Sequence, residues 1–122
     1  MIDERYVDLE DLVCYIECYS KTYFDRKTYK LYYKRELTLL SRISKIKLPK
    51  ISVMKIIKAY LKKHPEILNE IDGKLTISSF HCTVTDYGMY DDWGDFRWDY
   101  LCDFAAEWCK AMGIRYEDKR ES

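Results

Sequence analysis

The chain has 122 residues, and its 21 basic and 21 acidic side chains cancel to a formal net charge of zero. Apolar residues make up 48% and charged residues 34%, a balance that excludes a disordered chain and suits one globular domain over 1–122. No run approaches the ~18 consecutive apolar residues of a membrane span, which excludes that class as well.

The zero total conceals a layout. Residues 1–20 sum to −5, while 21–63 carry fourteen Lys and Arg against two acids. Residues 81–107 sum to −6. The middle is basic and both flanks are acidic, a pattern that bears on association rather than on fold. MIDERYVDLEDL lacks a basic start followed by an apolar run, so no secretory signal is expected. The five cysteines then read as reduced thiols in a cytoplasmic protein.

Taken in chain order, Leu9, Leu12, Val13, Ile16, Tyr19, Ser20 and Tyr23 share one side at helical spacing and predict a helix over 8–23, capped by Asp8. A second helix is predicted over 27–45, with Tyr29, Tyr32, Tyr33, Leu40 and Ile43 inward and Lys27, Lys30 and Lys34 outward. Pro49 breaks the pattern, and Ser52 caps a third helix reaching about residue 63. Val53, Ile56, Ile57 and Tyr60 form its apolar stripe, opposite Lys55, Lys58 and Lys62. His64-Pro65-Glu66 opens a short helix, and Asp72-Gly73 is a turn. The β-branched and aromatic stretch 74–85 predicts a strand or hairpin arm. Gly88 and Gly94 interrupt helix before Asp95, and a last helix runs over about 95–112. Its inward side is Trp98, Leu101, Cys102, Ala105, Cys109 and Met112. Residues 114–122 read as a polar, frayed tail. The expected fold is α+β and mostly helical: four or five helices in a single layer around one core, with one small strand or hairpin element.

Recognisable catalytic motifs are absent, so no catalytic residue is assigned and no cofactor is expected. Ser78, His81 and Asp86 lack any spacing that asks for a triad. Cys102 and Cys109 fall on an apolar stripe and read as core. Cys14 and Cys18 lie four apart, nearly opposite the aliphatic stripe of their helix. With His81 and Cys82, or with His64, they are weak candidates for a zinc site, because the close ligand pairs of a zinc knuckle are missing. His81 and Cys82, read as strand neighbours, would point to opposite faces.

Two surfaces stand out. RKTYKLYYKR at 26–35 interleaves cations with Tyr, and 42–63 can be read as helix, turn, helix followed by a β element, as in a winged helix. Lys27, Lys30, Lys34, Lys55, Lys58 and Lys62 are therefore candidate nucleic-acid contacts. The stretch DYGMYDDWGDFRWDYLCDF at 86–104 packs seven rings and six aspartates into nineteen residues. Asp95, Asp99, Asp103 and Glu107 would form one acidic ridge on the last helix. Tyr90, Asp91, Asp92, Trp93, Asp95, Asp99 and Asp103 are the candidate partner surface, since rings anchor and carboxylates complement a basic partner.

LPKISVMKIIKAYLKKHPEILNE at 48–70, with FHC at 80–82 and VCYIECY at 13–19, resembles the core of small immunity proteins that neutralise type VI secretion amidases. Those proteins share a Leu-Pro, an amphipathic helix ending near Tyr-Leu-x-x-His-Pro-Glu, and a Phe-x-Cys. The resemblance covers about residues 12–82. It departs in a helix about one turn short, in lacking a Cys before Leu-Pro and an export signal, and in having no counterpart for 83–122. It implies a helical protein that binds and blocks a toxin, and it locates no binding residue. The leading expectation is thus a non-catalytic protein of the immunity or phage counter-defence type. It would neutralise a protein or nucleoprotein with a basic surface, without a membrane partner. The alternatives are a nucleic-acid binder and a zinc-stabilised interaction module.

Overall fold

The structure is a computed structural model that describes residues 5–120. The fold is α+β and mostly helical, with six α-helices and two small sheets among the described residues. Two compact units are formed: one from the residues up to Lys50 with those from Leu101 onward, the other from Ile51–Tyr100.

In the first unit, strand β1 (Val7–Asp8) leads into helix α1 (Leu9–Ile16). Asp8 caps that helix by accepting from the Glu10 N–H at 2.9 Å, and Glu10 and Asp11 place acids at its positive end. Leu9, Leu12, Val13 and Ile16 are buried as their spacing predicts. The helix stops at Ile16, however, and does not continue to 23. Lys50 sits at this end. Its Nζ donates to the carbonyls of Tyr15, Ile16 and Cys18 at 3.1, 3.2 and 2.9 Å and reaches Thr22 Oγ1 at 3.3 Å. Carbonyls that a helix leaves orphaned at its end thereby gain a cationic partner. Beyond the stop, Tyr19 points entirely into solvent.

The predicted second helix is instead a hairpin and a short helix. Strands β2 (Thr22–Asp25) and β3 (Lys30–Tyr33) pair antiparallel, Thr22 opposite Tyr33 and Asp25 opposite Lys30. Asp25 makes the turn: its Oδ1 accepts from the Lys27 N–H at 2.8 Å and its carbonyl from the Tyr29 N–H at 2.7 Å. Tyr29 takes the left-handed conformation that closes the loop, with φ +57°. Side-chain-to-backbone bonding by Asp and the β preference of Thr, Tyr and Phe outweigh a helical spacing of rings that a strand also satisfies. Tyr33 stacks on Tyr15 of α1 with centroids 4.5 Å apart. Helix α2 (Leu39–Ile43) follows, capped by Thr38, whose Oγ1 accepts from the Ser41 N–H at 3.1 Å. Leu40 and Ile43, expected inward, are 80% and 78% exposed. Strand β4 (Ile46–Lys47) completes a sheet of order β3-β2-β4. In the segment 42–63 of the helix-turn-helix reading, only the end of α2 and this bridge strand precede the helix that Ser52 caps.

The second unit begins with α3 (Val53–Lys63), capped by Ser52 as predicted. The Ser52 Oγ accepts from the Met54 N–H at 3.1 Å. Helix α4 (Pro65–Glu70) carries Pro65 in its first turn, and Gly73 turns the chain at φ +74°. The stretch expected as a strand is helix α5 (Ile77–Asp86). A reciprocal cap starts it: Thr76 Oγ1 accepts from the Ser79 N–H at 3.0 Å and Ser79 Oγ from the Thr76 N–H at 2.8 Å. Phe80, Thr83 and Val84 are then buried at helical spacing. The cap and this burial override β-branched propensity, which is a weak preference set largely by context. At the far end the Gly88 N–H bonds Thr85 O at 3.0 Å and the Met89 N–H bonds Val84 O at 2.8 Å, with Gly88 at φ +67°. This double closure is the Schellman arrangement, and it is what places the start of the next helix.

Helix α6 (Tyr90–Met112) is longer than predicted and runs through Gly94 without interruption. Residues up to Tyr100 belong to the second unit and those from Leu101 to the first. Leu101, Cys102, Ala105 and Cys109 are buried as expected, and Trp98 and Met112 are half-buried. A second double closure ends it, with Gly113 at φ +69° and the Ile114 N–H on Cys109 O at 2.9 Å. The expected frayed tail is held in place within its described part. Strand β5 (Tyr116–Glu117) pairs parallel with β1, Val7 opposite Tyr116. Lys119 reaches Asp8 at 2.7 Å, and Arg120 bonds both Asp118 and Asp103.

Candidate binding surfaces

The acidic-aromatic stretch divides into a covered layer and an outer one. Trp93 is 3% exposed. Its ring meets Phe80 edge-on at 4.8 Å and Tyr60 at 5.4 Å, and Tyr60 in turn meets Phe80 at 5.8 Å and Phe96 at 5.2 Å. This cluster is the aromatic core of the second unit. Trp93, expected at the partner surface, is thus a core residue, because the helix starts five residues before Asp95 and turns that ring inward.

Asp92 is also committed internally. Its Oδ2 accepts from the buried Tyr60 hydroxyl at 2.8 Å and lies 3.6 Å from His64 Nε2. His64 Nδ1 in turn lies 3.3 Å from Glu66. Burial, reinforced by the Asp92 carboxylate, pushes the Tyr60 phenol far above its ordinary value and keeps it neutral. A hydroxyl held this way is a structural tie between α3 and α6.

The outer layer is Tyr90, Asp91 and Asp95. Tyr90 is 54% exposed and its ring stands 6.3 Å from that of His81. Asp91 and Asp95 are exposed and make no ion pair among the described residues. Asp99 is exposed too, one turn further along α6. In the first unit, Asp103 and Glu107 are exposed but paired, Asp103 with Arg120 at 2.9 Å and Glu107 with Lys110 at 3.3 Å. Beside this layer stands Tyr87, half exposed, whose phenol pKa is raised by a hydrogen bond to Glu70. Sequence reasoning begins the acid series at Asp95 because Gly94 is read as an interruption. The paired acids Asp91 and Asp92, which suit the positive end of a helix, are the signal that marks the earlier start.

All six candidate nucleic-acid lysines are exposed. Lys27, Lys30 and Lys34 belong to the β2–β3 hairpin and its exit, and Lys55, Lys58 and Lys62 to one side of α3. The winged-helix reading is not met: the element before α3 is a bridge strand and the element expected as a wing is α5.

Cys14 and Cys82 are exposed and Cys18 is half-buried. The Cys18 thiol is pulled below its ordinary pKa, mainly by its hydrogen bond with Ser20. Cys102 and Cys109 are core, and burial pushes the Cys109 thiol up to about 12. His81 and Cys82 are neighbours on helix α5 rather than on opposite faces of a strand. Among the described residues, no three His, Cys, Asp or Glu side chains gather in a way that could hold a metal ion. No helix among them is long and apolar enough to cross a membrane.

No protein-family model, curated protein or solved structure matches the chain.

Proposed function

We propose that this protein is a non-catalytic binding protein that neutralises another macromolecule, in the manner of an immunity or phage counter-defence protein. Its contact surface is the outer side of the first turns of α6, formed by Tyr90, Asp91 and Asp95 and extended by Asp99. One observation carries the reading. Asp91 and Asp95 stand exposed with no ion pair among the described residues, on a helix whose inner side is locked by Trp93 and Asp92. A rigid helix that holds uncompensated carboxylates beside a half-exposed phenol ring is pre-organised for a basic surface, and pre-organisation reduces the entropy lost on binding. The resemblance of residues 12–82 to amidase immunity proteins supports the same class.

The test is affinity capture of the tagged protein from its native host, run in parallel with the double variant Asp91→Lys and Asp95→Lys. The proposal expects a basic macromolecule that the native chain retains and the variant releases, with both proteins giving the same circular dichroism and thermal midpoint within a few degrees. Equal retention by the two would remove this surface from consideration.

A further inference from the structure

A second site, on the first unit, has a different chemistry. Ser20, Lys34, Arg35, Leu37 and Arg42 line an open pocket of about 570 Å³. Three cations and a hydroxyl face it, and no acid is among its lining residues. The nearest acid in sequence, Glu36, is already engaged, its Oε1 accepting from the Tyr33 N–H at 2.8 Å. Lys34, Arg35 and Arg42 make no ion pair among the described residues. Arg35 is held over the Tyr33 ring at 4.9 Å, and that ring is itself stacked on Tyr15. Its guanidinium is therefore positioned before any ligand arrives.

Arg42 supplies an independent observation. Its Nε is buried and has no acceptor among the described residues. A buried N–H without a partner is costly and uncommon, which sets this guanidinium apart from an ordinary solvated surface arginine. A single carboxylate would leave two of the three charges uncompensated. A phosphate group presents several oxygens and close to two negative charges, and Arg forks bind such oxygens in pairs.

From this geometry we infer that the pocket is a phosphate-binding site. It takes the terminal phosphate of a small ligand or headgroup on Arg42, Arg35 and Lys34, with the Ser20 hydroxyl as a further donor. Two sources share that chemistry. One is a free phosphorylated small molecule. The other is an anionic lipid headgroup, for which the same helix that carries Arg42 presents Leu39, Leu40 and Ile43 at 71%, 80% and 78% exposure.

The experiment is isothermal titration with inorganic pyrophosphate at fixed ionic strength, alongside sedimentation with vesicles of phosphatidylcholine with or without phosphatidic acid, whose headgroup is a terminal phosphate. Native protein is expected to bind pyrophosphate saturably. Arg42→Gln and Lys34→Gln should each weaken that binding at least tenfold, and Lys58→Gln on α3 less than twofold. Arg42→Gln and Lys34→Gln both lie at non-core positions, so at least one folded variant reports on the site. If Leu40→Asp abolishes sedimentation with phosphatidic acid vesicles and leaves pyrophosphate binding intact, the site is supported with lipid as its source. Saturable pyrophosphate binding with no preference for anionic vesicles supports it with a free phosphate as its source. The inference is overturned by the absence of saturable binding, by vesicle binding without pyrophosphate binding, or by Lys58→Gln weakening binding as much as Arg42→Gln does.

Discussion

Replacing Lys50 with Met should destabilise the first unit by an amount the structure lets one work out. The ammonium has three protons to share among the carbonyls of Tyr15, Ile16 and Cys18 and the Thr22 hydroxyl. Hydrogen bonds from a charged donor contribute about 1.5–3 kcal/mol each when isolated. These share one donor group and lie partly exposed, so water recovers part of the loss and the contributions do not add. A cation at a helix C-terminus adds about 0.3–1 kcal/mol. Desolvation of the ammonium, which holds its pKa below the ordinary lysine value, offsets part of this gain, and the net expectation is a loss of about 1–2 kcal/mol. Methionine keeps most of the apolar stem, so the change isolates the ammonium. Urea unfolding followed by far-ultraviolet circular dichroism measures the loss as a lower midpoint at constant slope. Lys47→Met, an exposed position on β4, is the control and should stay within about 0.5 kcal/mol of the native chain. A Lys50→Met protein as stable as that control would refute the reasoning that this lysine terminates α1.

Three further outcomes follow from the structure. Gly94 is exposed inside α6, its conformation is not left-handed, and an added Cβ would meet nothing within 4 Å; Gly94→Ala should therefore raise stability by roughly 0.5–1 kcal/mol in the same urea assay. The Asp8 carboxyl is held below its ordinary pKa by the Lys119 hydrogen bond, with the Glu10 N–H also favouring the charged form. Because the folded value lies below the unfolded one, this stabilisation is complete above about pH 4 and is lost as pH falls through the folded value. Asp8→Asn should thus be less stable than the native chain at pH 7, and the gap should close in an acid titration below pH 4. Alkylation at neutral pH should modify Cys14 and Cys82 readily while Cys102 and Cys109 react only after unfolding, as read by mass spectrometry of the labelled peptides.

Where one amphipathic period and one cap agree, the sequence suffices to place an element. Ser52 and the stripe of Ile56, Ile57 and Tyr60 define α3, and Leu9, Leu12, Val13 and Ile16 define α1. It misleads where two periods fit the same residues. Tyr29, Tyr32 and Tyr33 satisfy helical spacing, but the Asp25 side chain closes a turn that makes them a hairpin. Thr76, Ile77, Thr83 and Val84 suggest a strand, but the reciprocal Thr76–Ser79 cap makes them a helix. The position of Lys50 depends on a contact 32 to 35 residues away, which no local pattern encodes. The same holds for the candidate surfaces. The carboxylates of 91–107 are legible as outward residues from their spacing. Which of them are already paired is not, since the Tyr60 hydroxyl that takes Asp92 and the Arg120 that takes Asp103 come from other elements. The cationic pocket escapes the sequence altogether, because Ser20, Lys34, Arg35 and Arg42 come together through the hairpin that the helical spacing conceals.

The central claim is that the outer side of the early turns of α6 is where a partner docks. Hydrogen–deuterium exchange of the captured complex, compared with the free protein, tests it most directly. Slowed exchange concentrated in 87–99, with residues 22–33 of the hairpin unchanged, is the predicted footprint. Protection of the hairpin with 87–99 exchanging as in the free protein would contradict the account.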